Sequence, residues 1–133
     1  MENYLLDTNH LSPLVTLSHP LRQKIIHRLE TGNVFSIPTP VLAEALFGFR
    51  LLPRAKKNIK EWELLEKKFI YIGIDKEDAE RAAELQVMLR RRGWQLKTVD
   101  ALIAAIALRY DLILLTRDKD FNAIPGLRRE TWL

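Results

Sequence analysis

The chain predicts a three-layer α/β fold, a mainly parallel central sheet with helices on both faces, and three observations lead there. Short apolar runs alternate with longer segments of helical periodicity along the whole sequence. Each run is followed by cap or turn residues, as at strand-to-helix junctions. The 133 residues fit one compact domain, 1–133, so the alternating elements share a single sheet.

The elements follow in order. Tyr4-Leu5-Leu6 is a first strand, and Asp7-Thr8-Asn9 starts a helix. A second helix has Pro20 in its first turn and stops at Gly32; Val34 to Ile37 is the next strand, closed by Pro38. Thr39-Pro40 reads as a cap followed by proline at the first helical position, opening a helix through Val41 to Phe49 in which Glu44 is the one charge. Leucines spaced among basic and aromatic residues from Pro53 to Lys68 form an amphipathic helix, and Phe69 to Ile74 a third strand. Asp75 and Asp78 match a capping box for a helix with Ala79, Ala82, Ala83, Leu85 and Leu89 on its apolar face, ended by Gly93. Thr98 caps the most apolar segment, Val99 to Leu108; Leu112 to Leu115 is a strand, and Arg128 to Trp132 allows a last one. There are no repeats, linkers or low-complexity tracts.

Composition narrows the chemistry. The absence of cysteine removes disulfides, thiolate zinc sites and cysteine nucleophiles. His10, His19 and His27 lack the spacing of a zinc pair and read as surface or packing residues. The start, Met1 to Asp7, has neither the basic nor the apolar part of a signal peptide, and no window approaches the roughly 18 apolar residues of a membrane span, so a cytoplasmic location is expected. A net charge of +4 is weak support for an anionic partner.

The informative feature is where four acids stand. Asp7 ends the first strand, Glu44 interrupts Val41 to Phe47, Asp100 opens Ala101 to Ile106, and Asp118 follows the strand Leu112 to Leu115. Burying an unpaired carboxylate costs several kcal/mol unless a cation or strong hydrogen bonds compensate. In an open parallel sheet the strand carboxyl ends and the following helix amino ends meet along one edge, where ligands bind. Asp7 and Asp118 lie at strand ends, Asp100 in a first helical turn and Glu44 about one turn in. Carboxylates converging there repel one another unless a hard cation joins them, and oxygen-only ligation points to Mg²⁺ or Mn²⁺. Each acid also has a plainer reading: a cap or turn for Asp7 and Asp118, a helix start for Asp100, an arginine pair for Glu44. The other acids, such as Glu61, Glu63, Glu66, Glu77 and Glu80, fall in solvated patterns.

Four segments in order, Leu5-Leu6-Asp7-Thr8-Asn9, Pro40 to Gly48 around Glu44, Val99-Asp100-Ala101-Leu102-Ile103-Ala104-Ala105 and Leu115-Thr116-Arg117-Asp118-Lys119-Asp120-Phe121, resemble the PIN-domain family, specifically its VapC-like branch. The resemblance extends from Tyr4 to Trp132. It implies a PIN-like sandwich, a homodimer, metal-dependent cleavage of RNA, and a cognate antitoxin as protein partner. By position Asp7, Glu44, Asp100 and Asp118 are the family's acidic quartet, with Thr8 or Thr116 supplying a supporting hydroxyl. Asp7, Asp100 and Asp118 are then metal ligands and Glu44 a further ligand or the orienter of the attacking water. Either Asp118 or Asp120 can be drawn to the metal; the Thr116-x-Asp118 spacing fits the family better.

Phosphate grip has candidates in Arg50, Arg54, Lys56, Lys57, Arg90-Arg91-Arg92 and Lys97, and base stacking in Trp62 and Trp94, although basic runs and tryptophans serve solvation and packing more often. Two rivals stand beside the nuclease. A PIN-fold module that binds RNA or protein without cleaving gains nothing from clustered acids. A haloacid-dehalogenase-like phosphatase needs an aspartate two residues after its nucleophile, and Asn9 stands there after Asp7.

Overall fold

A computed structural model describes residues 1–51 and 53–133. Five parallel strands, β1 (Asn3–Leu6), β2 (Val34–Pro38), β3 (Ile70–Ile72), β4 (Ile113–Leu115) and β5 (Arg129–Glu130), form one sheet in the order β3-β2-β1-β4-β5. Among the described residues six α-helices connect and cover them: α1 (Thr8–Leu11), α2 (Pro20–Glu30), α3 (Thr39–Leu51), α4 (Ala55–Leu65), α5 (Lys76–Arg91) and α6 (Thr98–Arg109). Successive residues of β1 and β4 point to opposite faces, yet Tyr4, Leu5, Leu6, Ile113, Leu114 and Leu115 are all buried. Both faces of the central strands are therefore covered, which is why these strands read as continuous apolar runs. Each fully buried leucine or phenylalanine, such as Leu5, Leu6, Phe35 or Phe121, stabilises the fold by about 1.5–3 kcal/mol through its burial.

The strand order locates the site. From β1 the chain adds β2 and β3 on one side, then returns to place β4 on the other. β1 and β4 pair in register Leu6↔Leu115, and the Asp7 amide donates to the Leu115 carbonyl at 3.1 Å. Connections diverge from this pair, opening a crevice at its carboxyl ends.

Local chemistry explains most boundaries. Asp75 and Asp78 form a reciprocal capping box on α5, and Gly32 and Gly93 end their helices with φ of 93° and 80°. Several expectations need correction. Thr98 does not cap α6: Lys97 occupies that position without a side-chain bond, and the Thr98 hydroxyl instead accepts from Gln86 Nε2 at 3.2 Å. Thr39 is the first residue of α3, directly after Pro38, which ends β2 from within the strand. The strand expected over Phe69 to Ile74 is only Ile70–Ile72, because it is an edge paired to β2 alone, and Phe69 turns into the core against Trp62. Among the described residues no helix is long and apolar enough to cross a membrane.

Candidate active site at the carboxyl edge of the sheet

Asp7 follows β1 and is buried, at 8% exposure. Its Oδ1 accepts from the Thr8 amide at 2.8 Å, making Asp7 the cap of α1. Its Oδ2 accepts from the Thr116 hydroxyl at 2.7 Å and from Asn9 Nδ2 at 3.2 Å. Thr116, fully buried at the end of β4, also accepts from the Asp118 amide at 3.0 Å, so one hydroxyl ties the two strand-end loops together. Burial raises the Asp7 carboxyl above its ordinary value, with Asp118 and Glu44 adding repulsion against the opposing hydrogen bonds from Thr116 and Thr8.

Asp100 stands in the first turn of α6. Burial, and then the charges of Asp7, Asp118 and Asp120, push it up to about 6 against a partial offset from Lys97. Asp118 caps the 3₁₀ turn Lys119–Ala123 by accepting from the Asp120 amide at 2.9 Å. That turn brings Asp120 alongside: Asp100, Asp118 and Asp120 offer carboxylate oxygens all within 4.8 Å of one another. Glu44, on α3, is more exposed and accepts from the Thr8 hydroxyl at 2.9 Å. Both expected hydroxyls are therefore used, Thr116 on Asp7 and Thr8 on Glu44.

Asp7, Glu44, Asp100 and Asp118 all line one open cleft of about 820 Å³, together with Asn9, His19, Lys97 and Arg117. Among the described residues none of the five acids is within 4.0 Å of a lysine or arginine nitrogen. The three clustered carboxylates, Asp100, Asp118 and Asp120, are an all-oxygen donor set that fits a hard divalent ion, whose ligands lie about 2.0–2.6 Å away, while Asp7 and Glu44 line the same cleft outside that 4.8 Å group. The set does not fit zinc held by nitrogen or sulfur.

The structure redistributes the expected substrate contacts. Of the basic candidates, Lys97 reaches this cleft. Arg50 lines the groove between α3 and α4, Arg54 and Lys57 flank the loop Val15–Ser18, Lys56 is exposed on α4, Arg91 and Arg92 border α5, and Arg90 lies beside Trp94. Trp62 packs in the core between Phe49 and Phe69, so of the two tryptophans considered for stacking only Trp94, 40% exposed and outside this cleft, is open to solvent. Asn9, Arg117 and His19 were not singled out by the sequence as contributors to the cleft. For Asn9 a signal existed: it stands two residues after a buried aspartate, within reach of its carboxylate. His19, read as a surface or packing residue, caps α2 by accepting from the Leu21 amide at 3.1 Å.

The PIN domain family profile matches residues 4–127. A toxin–antitoxin complex from Klebsiella pneumoniae contains a chain 31% identical to this one, covering 93% of this chain and 94% of that one with a TM-score of 0.66. VapBC2 from Rickettsia felis bound to a promoter DNA fragment superposes with a TM-score of 0.84 at 23% identity over 98% and 99% of the two chains. VapC20 from Mycobacterium tuberculosis, a sarcin-ricin loop cleaving toxin, gives 0.64 at 18% identity over 93% and 95%. No curated protein sequence matches the chain. With its sheet order, its acids at the carboxyl edge and a family match over nearly its full length, the chain belongs to the PIN domain family, a family of nucleases, and resembles its VapC-like branch.

Proposed function

We propose that the protein is a Mg²⁺- or Mn²⁺-dependent endoribonuclease that acts as the toxin of a toxin–antitoxin pair. The observation that carries the reading is the set of carboxylates around one cleft with no basic partner within 4.0 Å among the described residues. Asp7, Asp100 and Asp118 would hold the ion, with Asp120 close enough to join them and Glu44 as a further ligand or base. When bound, such an ion lowers the pKa of a water and stabilises charge on the scissile phosphate.

The remaining work falls to this chain's own groups. Thr116, Asn9 and the Thr8 amide hold Asp7 in one orientation. Glu44, fixed by the Thr8 hydroxyl on the exposed side of the cleft, can orient a water and accept its proton. Lys97 and Arg117 line the same cleft and can hold flanking phosphates. No cysteine is available as nucleophile, which suits attack by water.

An antitoxin partner follows from the same reading, supported by the 31%-identical chain found in a toxin–antitoxin complex; a homodimer is proposed with it. The deciding experiment is cleavage of RNA by purified protein with and without EDTA. Cleavage should require Mg²⁺ or Mn²⁺ and be abolished by chelator. Undiminished cleavage in EDTA, with contaminating nucleases excluded by an Asp7→Asn control, defeats the reading.

A further inference from the structure

His10 is completely buried three residues after Asp7, and none of the chemistry above uses it. Its hydrogen bonds fix its protonation by logic alone. Asn9 Nδ2 faces the Asp7 carboxylate at 3.2 Å and must donate there, so Asn9 Oδ1 faces the other way, where it accepts from the Arg117 amide at 3.3 Å. The same Oδ1 lies 2.6 Å from His10 Nδ1, which must therefore donate. At the far side of the ring the Trp132 amide, a donor only, points at His10 Nε2 from 3.0 Å, so Nε2 must accept. Both ends are set by backbone N–H groups that cannot reverse their role, and the ring is neutral with its proton on Nδ1.

We infer that His10 is a positioning residue: its Nδ1–H holds the Asn9 amide turned toward Asp7, and its Nε2 ties the segment after β5 to the same relay. The path from Trp132 through His10 and Asn9 ends on the oxygen of Asp7 that also takes the Thr116 hydroxyl. Without the His10 donor, the Asn9 amide loses a bond that distinguishes its two ends, and Asp7 Oδ2 can lose one of its two side-chain donors. The far end of the relay is itself held firmly. The Trp132 ring packs edge-on to Tyr4 and Phe35, with centroids 4.9 and 5.9 Å away, under the Lys24 ammonium at 4.2 Å. Burial, with Arg117, Arg129 and Lys24 nearby, lowers the His10 imidazole to about 4, in keeping with a ring that stays neutral.

This role rests on the proposed reading of Asp7 as a metal ligand, and the test separates the two. Two variants each keep half of the relay. His10→Asn keeps an amide donor where Nδ1–H was; His10→Gln reaches the Nε2 position and keeps an acceptor for the Trp132 amide. Mn²⁺ affinity of the full chain, measured by titration, should fall about 10-fold or more in His10→Gln and stay near wild type in His10→Asn, although both melt lower. ¹⁵N spectra of wild-type imidazoles should show His10 as the Nδ1-protonated tautomer at neutral pH, a readout independent of activity. Equal Mn²⁺ affinity in the two variants, or a His10 proton on Nε2, overturns the inference. If His10→Gln binds Mn²⁺ normally while Asp7→Asn does not, the failure belongs to His10 alone; if Asp7→Asn also binds normally, the metal-site reading fails and the role of His10 with it.

Discussion

Two clusters of acids in this chain have opposite electrostatics. At the start of α5, Asp75, Glu77 and Asp78 surround Arg109 from the end of α6, with N–O distances of 2.6, 3.1 and 3.3 Å. At the sheet edge Asp7, Asp100, Asp118 and Asp120 collect around one cleft, and among the described residues none of them has a lysine or arginine nitrogen within 4.0 Å. The Arg109 hydrogen bond and the Asp78 amide hold Asp75 down at about 2, whereas burial and neighbouring carboxylates push Asp100 up to about 6. The contrast teaches that closeness of acids is not by itself a sign of a site. The first cluster carries its counter-charge and serves to join α5 to α6; the second has none within 4.0 Å among the described residues, which is the charge the proposed ion would supply.

The largest expected difference is in activity. Asp7→Asn, Asp100→Asn and Asp118→Asn should each reduce RNA cleavage by about 100-fold or more, because each removes a proposed ligand. Arg109→Gln, in the neutralised cluster, should leave the rate per folded molecule unchanged. A steady-state assay normalised to folded protein checks this, and a catalytic defect in Arg109→Gln matching Asp100→Asn would erase the distinction.

Metal-induced stability should separate the clusters next. An ion that binds only the folded state at 100 times its Kd stabilises it by about 2.7 kcal/mol. Thermal melts with and without Mn²⁺ should show this shift in wild type and in Arg109→Gln, whose baseline is lowered by loss of the Asp78 pair. The shift should shrink in Asp100→Asn. Asp120→Asn should lose part of it too, since the turn after β4 puts Asp120 beside Asp118; a full wild-type shift in Asp120→Asn returns the role to Asp118 alone.

The smallest effect is in pH dependence, where the clusters should have opposite slopes. The folded protein holds the Asp100 proton more tightly than the unfolded chain, so that stabilisation is complete below the ordinary value of 3.8 and is lost as pH rises through about 6. Asp75 behaves in reverse: its contribution is present above 3.8 and is lost as pH falls through about 2. Melts of metal-free protein should therefore decline between these limits on the Asp100 side, by on the order of 1 kcal/mol after allowing for solvent screening. Asp100→Asn should flatten that decline. An unchanged slope in the variant would show that another group carries it.

Much of this was legible along the chain because it depends on near neighbours. Continuous apolar runs mark strands covered on both faces, the Asp75–Asp78 spacing marks a cap, and acids at the ends of such runs mark one edge of a parallel sheet. Other features depended on contacts remote in sequence. Thr116 and Asp7 are 109 residues apart, and only the pairing of β1 with β4 makes their 2.7 Å hydrogen bond. Asp75 and Asp100 look alike in sequence, as acids at helix starts; whether Arg109 or other carboxylates face them is decided by packing. His10 and Trp132 lie 122 residues apart, and their bond exists because β5 closes the sheet beside β4. Local pattern therefore determined the elements and the edge where acids collect, while charge compensation and hydrogen-bond direction, which vary over a few ångströms between distant residues, were settled only by the tertiary structure.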